Sequence, residues 1–567
     1  MNQLLNFLVT VSIFICSFNL CYAQVSPEAV QNSAQSQSQP LTAERALDES
    51  IQFGKQIKID KIRTAAMTQN GRVKPFATFS RETVLFITGK FKGWGLSPEQ
   101  LYLTFSASEA APYAPFIEIR DVALRKKLGF TADKKYFSLA DLESSQLEKL
   151  AMPIFQKEQD GNKLDENDKK VTEAFSQMNV FRQIALKDHF PAAIDFSWLE
   201  KKPEQIVSEK NEISQTASRY LEALKRKDFQ FAYATSEKLN EISKSQPTPD
   251  LFRHALNKID VEVWFFDYRP FLLASVVSLI AALLLLLDVT RNKISVRSVF
   301  WLFGLTMAPT IIGLVLRVYI TRFAPITNMY GTMIWVAFGV TLFSLILFSL
   351  YKNAVMSGFM FLGSGLILLL TENIPLVLSP DMDPIVAVLR SNFWLATHVT
   401  TITISYAAFT IAMILGNVTL VKVLFNRMES KQIQDFYHYA YRMVQLGCFL
   451  LTVGIILGGI WADYSWGRFW GWDPKETWAL IADLGFIALL HARYIGWVTP
   501  ISFLSWLPVA YLLVVMAWYG VNFILAAGLH SYGFSSGGAS AVAIFVFAQL
   551  LLIGLSMLRR KYFGRVA

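Results

Sequence analysis

From residue 267 onward the chain is a succession of apolar runs, and these runs constrain the fold more than anything else in the sequence. A helix that crosses a bilayer needs about 20 mostly apolar residues, because lipid offers no partner for backbone N–H and C=O groups and the helix satisfies them internally. Nine stretches meet that need: 267–289, 298–320, 328–351, 355–373, 394–424, 441–461, 477–497, 500–526 and 538–558. Over all 567 residues, 53% are apolar and only 17% charged, a membrane profile. The expected fold class is an all-α polytopic membrane protein.

Residues 1–23 read as a secretory signal that is cleaved: an apolar core ending in Cys21-Tyr22-Ala23, with a weak positive flank. Uncleaved, the same segment would be a first anchor. Either way, residues 24–265 are expected outside the cytoplasm, as a mostly helical extracytoplasmic domain behind the low-complexity linker QNSAQSQSQP. Within it TAERALDESIQFGKQIKIDKIRT has helical amphipathicity, and NGRVKPFATFSRETVLFITGK opens on an Asn-Gly turn and continues as strand or helix. Charged helical stretches fill roughly 165–250. His189 and His254 read as ordinary surface or packing residues. Residues 266–567 form the polytopic part.

The first span leaves the external segment and runs inward, so positive charge should alternate from loop to loop. Arg291 and Lys293, Lys352, the basic stretch from Lys422 to Arg442, Arg493, and Arg559 to Lys561 all fall on the inner side. The outer loop 374–393 carries Asp381 and Asp383; the turn near Arg317, Arg322 and Ala324 is the exception. Much of the net charge of +9 lies at helix ends, where it sets orientation, and it calls for no nucleic-acid partner. Of three cysteines, Cys16 and Cys21 lie in the signal and Cys448 lies in a span, so there is no CxxC motif and no thiol–disulfide exchange chemistry.

This topology puts WADYSWGRFWGWDPKETW, residues 461–478 with five tryptophans, in an outer connecting loop. His398 falls near the outer start of one span and His530, in GLHSYGF, just past the outer end of another. Trp and Tyr gather at bilayer interfaces without any ligand, and a histidine at a helix end often only bonds a carbonyl. Together, two outer histidines and an indole-rich loop suit haem, a flat apolar macrocycle whose iron takes two axial imidazoles. Arg468 is a candidate partner for a haem propionate and Lys475 a weaker one. Asp473, Pro474 and Glu476 read as a helix start: N-cap, first helical position and reciprocal capping partner. His491 lies 14 residues past Thr477, about 21 Å along the helix, toward the inner side. A histidine inside a span is a functional candidate by default, with an interhelical hydrogen bond as the plain alternative.

These residues resemble a known family. WGRFWGWDPKETWAL is similar to the WWD signature of haem-handling proteins in cytochrome c maturation. With WLATHV, HARYI and GLHSYG, the chain over roughly 298–558 resembles the CcsA (ResC) component of the System II cytochrome c synthase. NGRVKPFATFSRETVLFITGK resembles the segment that precedes the CcsA part in fused CcsBA synthases. The resemblance implies transport of haem b to an external site and thioether formation with the CxxCH motif of apocytochrome c. It implies His398 and His530 as external axial ligands and Trp466, Trp470, Trp472 and Asp473 as the platform, these six forming the catalytic set, with His491 as the transmembrane histidine. The inner site of the family uses two histidines, and no second one lies on the inner side of the nine runs; His438, between Tyr437 and Tyr439, is placed in the cytoplasmic loop. A separate CcsB (ResB)-like subunit is therefore expected, and another protein must keep the substrate thiols reduced. A haem transporter or chaperone without bond-forming activity is the alternative; a quinone-linked electron-transfer subunit would carry paired histidines within its helices. Pro325, Asn328 and Tyr330 in APITNMYGT resemble an outer-loop motif and read as a turn.

Overall fold

In the computed structural model, residues 42–69, 72–162, 164–186, 212–245, 254–288, 294–375, 377–382, 391–425, 430–525 and 538–563 are described. The signal, the linker, His189 and His530 lie outside the described residues.

The segment upstream of the spans is mostly helical, as expected. Helix α1 (Ala43–Gln56) buries Ala46, Ser50, Phe53 and Gly54, one face at three- and four-residue spacing. It ends at Gln56, earlier than the amphipathic stretch suggested. The expected Asn-Gly turn lies outside the described residues, between two paired strands, β1 (Ala66–Gln69) and β2 (Arg72–Pro75), antiparallel with Ala66 opposite Pro75. Helix α2 (Phe76–Thr88) follows directly, so the stretch is both strand and helix. Helix α3 (Pro98–Ala107) starts on a capping box of Ser97 and Gln100. With α4 (Glu166–Leu186), α5 (Glu212–Lys225) and α6 (Phe229–Ser245) these elements enclose one apolar core that includes Phe53, Phe76, Tyr102, Phe105, Phe116, Phe181 and Tyr220.

Among the described residues, eight helices are long and apolar enough to span a membrane. The first, His254–Leu287, contains α7 (Ile259–Tyr268) and α8 (Pro270–Leu287), joined at Arg269 in a left-handed conformation. Then come α9 (Val296–Thr321), α10 (Met329–Tyr351), α11 (Ala354–Asn373), α12 (Thr400–Leu424), α13 (Ser430–Trp466), α15 (Pro500–Val515) and α16 (Ala539–Phe563). The ninth expected span is the helix α14 (Pro474–Tyr494), whose 21 residues reach about 31 Å. It is more polar than the others, because it carries Lys475, Glu476, Asp483, His491 and Arg493. Helix α12 is the centre of the bundle: 61% of its most apolar window is buried, the largest share among the eight. It packs on α10, α13, α15 and α16, and Phe409 stacks on Phe486 of α14 with ring centres 3.9 Å apart.

Two expectations about boundaries are corrected. Helix α13 has 37 residues, about 55 Å, where the apolar run covered only 441–461. Trp461 to Trp466 are therefore its last turns, and the outer loop shrinks from 461–478 to the seven residues Gly467–Asp473. Hydropathy marks the stretch immersed in lipid, and nothing before Gly467 breaks the helix. The second correction concerns 394–424, which opens with a π-helical turn, Leu395–Val399, before α12 begins.

The exceptional outer arginine has a structural explanation. Arg317 is 2% exposed; its Nη1 donates to the Pro380 carbonyl at 3.0 Å and its guanidinium lies over the Tyr330 ring. Tyr330 O–H donates to Glu372 at 2.5 Å, and Arg269 closes on the same carboxylate at 3.0 Å. Asn328 caps α10 by accepting from Gly331 N–H and holds the 377–382 segment by donating to the Ser379 and Asp381 carbonyls. The APITNMYGT stretch is thus a lock on the 377–382 loop, more than the turn expected of it.

Candidate functional site

Gly467, at φ +68°, ends α13, its N–H donating to the Asp463 carbonyl at 2.8 Å. Six residues later Asp473 caps α14, accepting from Lys475 N–H at 2.9 Å and Glu476 N–H at 3.1 Å. Glu476 reaches back to the N–H groups of Gly471 at 2.7 Å and Asp473 at 3.4 Å, the reciprocal half of the capping box. Both ends of the loop are therefore pinned by its own residues. Arg468 lies across Gly471, where a Cβ would fall 1.1 Å from Nη1, so any larger residue there would push the guanidinium aside. The same guanidinium pairs with Glu476 at 3.7 Å and faces the Trp466 ring.

The loop turns its aromatic surface outward. Trp472 is 70% exposed and held at φ +56°, a backbone state uncommon for a bulky side chain. Trp470 meets it edge to face at 5.6 Å. Among the described residues the Trp470 Nε1–H and the Arg468 Nη1 are buried donors that meet no hydrogen-bond acceptor. Burial pushes Lys475, in the first turn of α14 and ahead of the apolar stretch 477–497, down to about 8 against the pull of Asp473. That makes it a poorer anion partner than Arg468.

His398 sits in the π-helical turn ahead of α12, a feature frequent at functional sites. Its Nδ1 is 2.9 Å from the Gly454 carbonyl of α13. A carbonyl only accepts, so Nδ1 carries the proton and Nε2 carries the lone pair, the ligand form of imidazole. The ring lies on Gly458, where a Cβ would be 2.5 Å from His398 Cε1, and it meets Trp461 edge to face at 5.6 Å. Trp461 in turn runs parallel to Trp394. Phe469 of the loop covers the adjacent Gly459 in the same way. The structure thus brings His398 and the aromatic loop onto neighbouring residues of one helix end. Sequence reasoning missed Gly454, Gly458 and Gly459, although small residues four apart in a span are a known signal of close packing.

His491 lies far from this place, 17 residues into α14. Its Nδ1 bonds the Ile487 carbonyl of its own helix at 2.9 Å, and the residue is exposed. Ile481, Leu484 and Ala488 are exposed at helical spacing on the same helix. His438 is also exposed, with Nε2 3.3 Å from the Tyr351 hydroxyl. His254 is half-buried at the start of the first span. His530 falls between a π-helical run, Met516–Leu525, and Gly538.

The family described as "Cytochrome C assembly protein" matches residues 326–555. The chain is 29% identical over 499 residues to protein NrfI of Wolinella succinogenes, covering 82% of this chain and 53% of that one. That alignment holds more residues than the spans do, so it extends into the upstream segment, while the chain covers about half of NrfI. It is 33% identical to the cytochrome c biogenesis protein CcsA of Prochlorococcus marinus (strain MIT 9301), over 40% of this chain and 81% of that protein. To CcsA of Chlamydomonas reinhardtii it is 34% identical, over 37% of this chain and 61% of that one. On this coverage and identity, the chain belongs to the CcsA family of cytochrome c biogenesis proteins.

Proposed function

We propose that this chain moves haem b from the inner side of the bacterial cytoplasmic membrane to an external site and holds it there for attachment to apocytochrome c. The observation that supports this best is the seat of His398: Nδ1 committed to Gly454, the ring backed by Gly458 and Trp461, and an indole-rich loop on the next turn. His398 and His530 bind the iron from opposite sides. Trp466, Trp470 and Trp472 cover the macrocycle, and Asp473 keeps the loop in register. Arg468, whose Nη1 makes an ion pair with Glu476 at 3.7 Å but no hydrogen bond, and the Trp470 N–H, which meets no acceptor among the described residues, suit the negatively charged edge of the haem.

The chemistry asked of the chain is positioning. Each cysteine S–H of CxxCH adds across a haem vinyl group, sulfur to the carbon next to the ring and hydrogen to the terminal carbon. No net proton is consumed and no metal beyond the haem iron is needed. The substrate histidine then replaces one synthase imidazole, which loosens the product. The thiols must arrive reduced, and a separate thiol-reducing protein supplies that condition.

On the inner side His491 is the first ligand. It is exposed, and among the described residues its ring bonds only its own helix. An imidazole on a surface facing lipid is unfavourable, which supports a CcsB-like membrane subunit that covers it and provides the second ligand. The N-terminal segment and the Gly467–Asp473 loop face the periplasm in this reading, and residues 24–265 form a domain of their own.

The test is to purify the chain with its partner and compare the haem spectra of wild type, His398→Ala, His530→Ala and His491→Ala. The outer variants should lose haem and regain it with added imidazole. Full haem in all three would defeat the ligand assignments. Covalent haem on a CxxCH reporter, made without a separate haem carrier, separates a synthase from a chaperone.

A further inference from the structure

Asp483 is a carboxyl midway along α14, the ninth expected span, and the mechanism above does not use it. It is 3% exposed and faces α13. Its Oδ2 accepts from Thr452 Oγ1 at 2.6 Å, and the Cys448 thiol is a second hydrogen-bonding neighbour. Oδ1 is buried and meets no donor among the described residues. The plain explanation is interhelical glue. Against it, a carboxyl at mid-bilayer is more costly to insert than one interhelical hydrogen bond returns. A group kept at that disadvantage points to specificity of arrangement rather than to stability.

What the contact fixes follows from its neighbours. Thr452 is two residues before Gly454, the acceptor of His398, and six before Gly458, on which the ring lies. Asp483 is ten residues past Asp473, about 15 Å, and eight before His491, about 12 Å. Helices α13 and α14 are joined by only seven residues, and a slip of α14 by one turn along α13 is about 5.4 Å. Such a slip would carry the aromatic loop away from His398 and change the depth of His491 together.

We infer that Asp483, through Thr452 and Cys448, is a positioning residue that sets the register of α14 against α13 and so fixes the aromatic loop and His491 relative to the seat of His398. The inference rests on the haem reading above.

The test uses the full chain with its partner and compares Asp483→Asn, Asp483→Leu and Thr452→Val. Membrane level, haem absorption, midpoint potential and covalent haem on a CxxCH reporter are measured. Asn keeps a hydrogen-bonding oxygen and should remain within about twofold of wild type. Leu should shift the spectrum and potential and lower reporter yield by about tenfold or more at equal membrane level. Thr452→Val should move the same readouts in the same direction. Unaltered spectrum, potential and yield in Asp483→Leu would overturn the inference. So would an Asn variant as impaired as Leu, which would make charge rather than register the point. If Asp483→Leu fails to accumulate, Thr452→Val decides, and wild-type behaviour there overturns it. Wild type without haem would instead sink the haem reading itself.

Discussion

His398 and His491 make the same bond and live in different surroundings. Each uses Nδ1 to hold a backbone carbonyl at 2.9 Å, which presents Nε2 as the ligating atom. For His398 the carbonyl belongs to Gly454 of another helix, and the ring is walled by Gly458 and Trp461. For His491 it belongs to Ile487, one turn back on the same helix, and the residue is exposed. The carbonyl bonded to Nδ1 fixes the tautomer in both cases, but only contacts from other elements fix the position. In the proposed scheme the outer station is therefore built largely within this chain, while the inner one is half a station that another surface must finish.

The largest effects should come from removing the imidazoles, and added imidazole should tell the two apart. Losing an outer-shell partner of a metal ligand already lowers affinity roughly 10- to 100-fold, so His398→Ala should lower outer haem by on the order of 100-fold. The space it leaves is bounded by Gly458 and Trp461, which would hold a free imidazole and restore the spectrum. His491→Ala leaves no such enclosure on its exposed helix face. Imidazole should rescue it far less, read as the haem recovered per mole of protein. Equal rescue of both variants would break the comparison.

A smaller effect tests the seat without touching a ligand. Valine at Gly458 would push into His398 Cε1, which already lies 2.5 Å from the position of an added Cβ. Overpacking of this kind costs about 1–3 kcal/mol, enough to displace the ring and lower outer haem by roughly tenfold. The matching change near His491 is Ala488→Val, on the exposed face. It should alter stability by no more than about 0.5 kcal/mol and leave the inner haem spectrum unchanged unless a partner packs there. A strong loss for Ala488→Val only when the partner is present would place that partner on this face.

Much of this was legible in the sequence, and the gaps have physical causes. Long apolar runs give spans because lipid excludes every other backbone solution, so the helices from Pro270 to Phe563 were expected. The extension of α13 to Trp466 was not, because interfacial residues such as Asp463 and Tyr464 are polar enough to end a hydropathy window while remaining good helix. The capping box at Asp473 and Glu476 was legible because its partners are three residues apart. The contact of His398 with Gly454 was not, since 56 residues separate them, and no local pattern encodes such a pairing. The lock of Arg317, Tyr330 and Glu372 was missed for the same reason, and so was the partner of Asp483.

The smallest expected effect asks whether the two stations are independent. Glu476 ties Gly471 N–H, Asp473 N–H and Arg468 together at the outer end of α14, while His491 sits on the same helix about 22 Å further in. Glu476→Ala removes the reciprocal half of the capping box, a loss of about 1 kcal/mol by analogy with other helix caps. Helix ends fray locally, and the effect of a cap dies out within the first turn. The variant should therefore loosen the aromatic loop and weaken outer haem a few-fold. The inner haem, observed in a His398→Ala background, should keep its spectrum and potential. If the inner signal moves as much as the outer one, the loop and His491 are coupled through α14 as a rigid body, and the contrast between a self-contained outer seat and an open inner one would have to be redrawn around that helix.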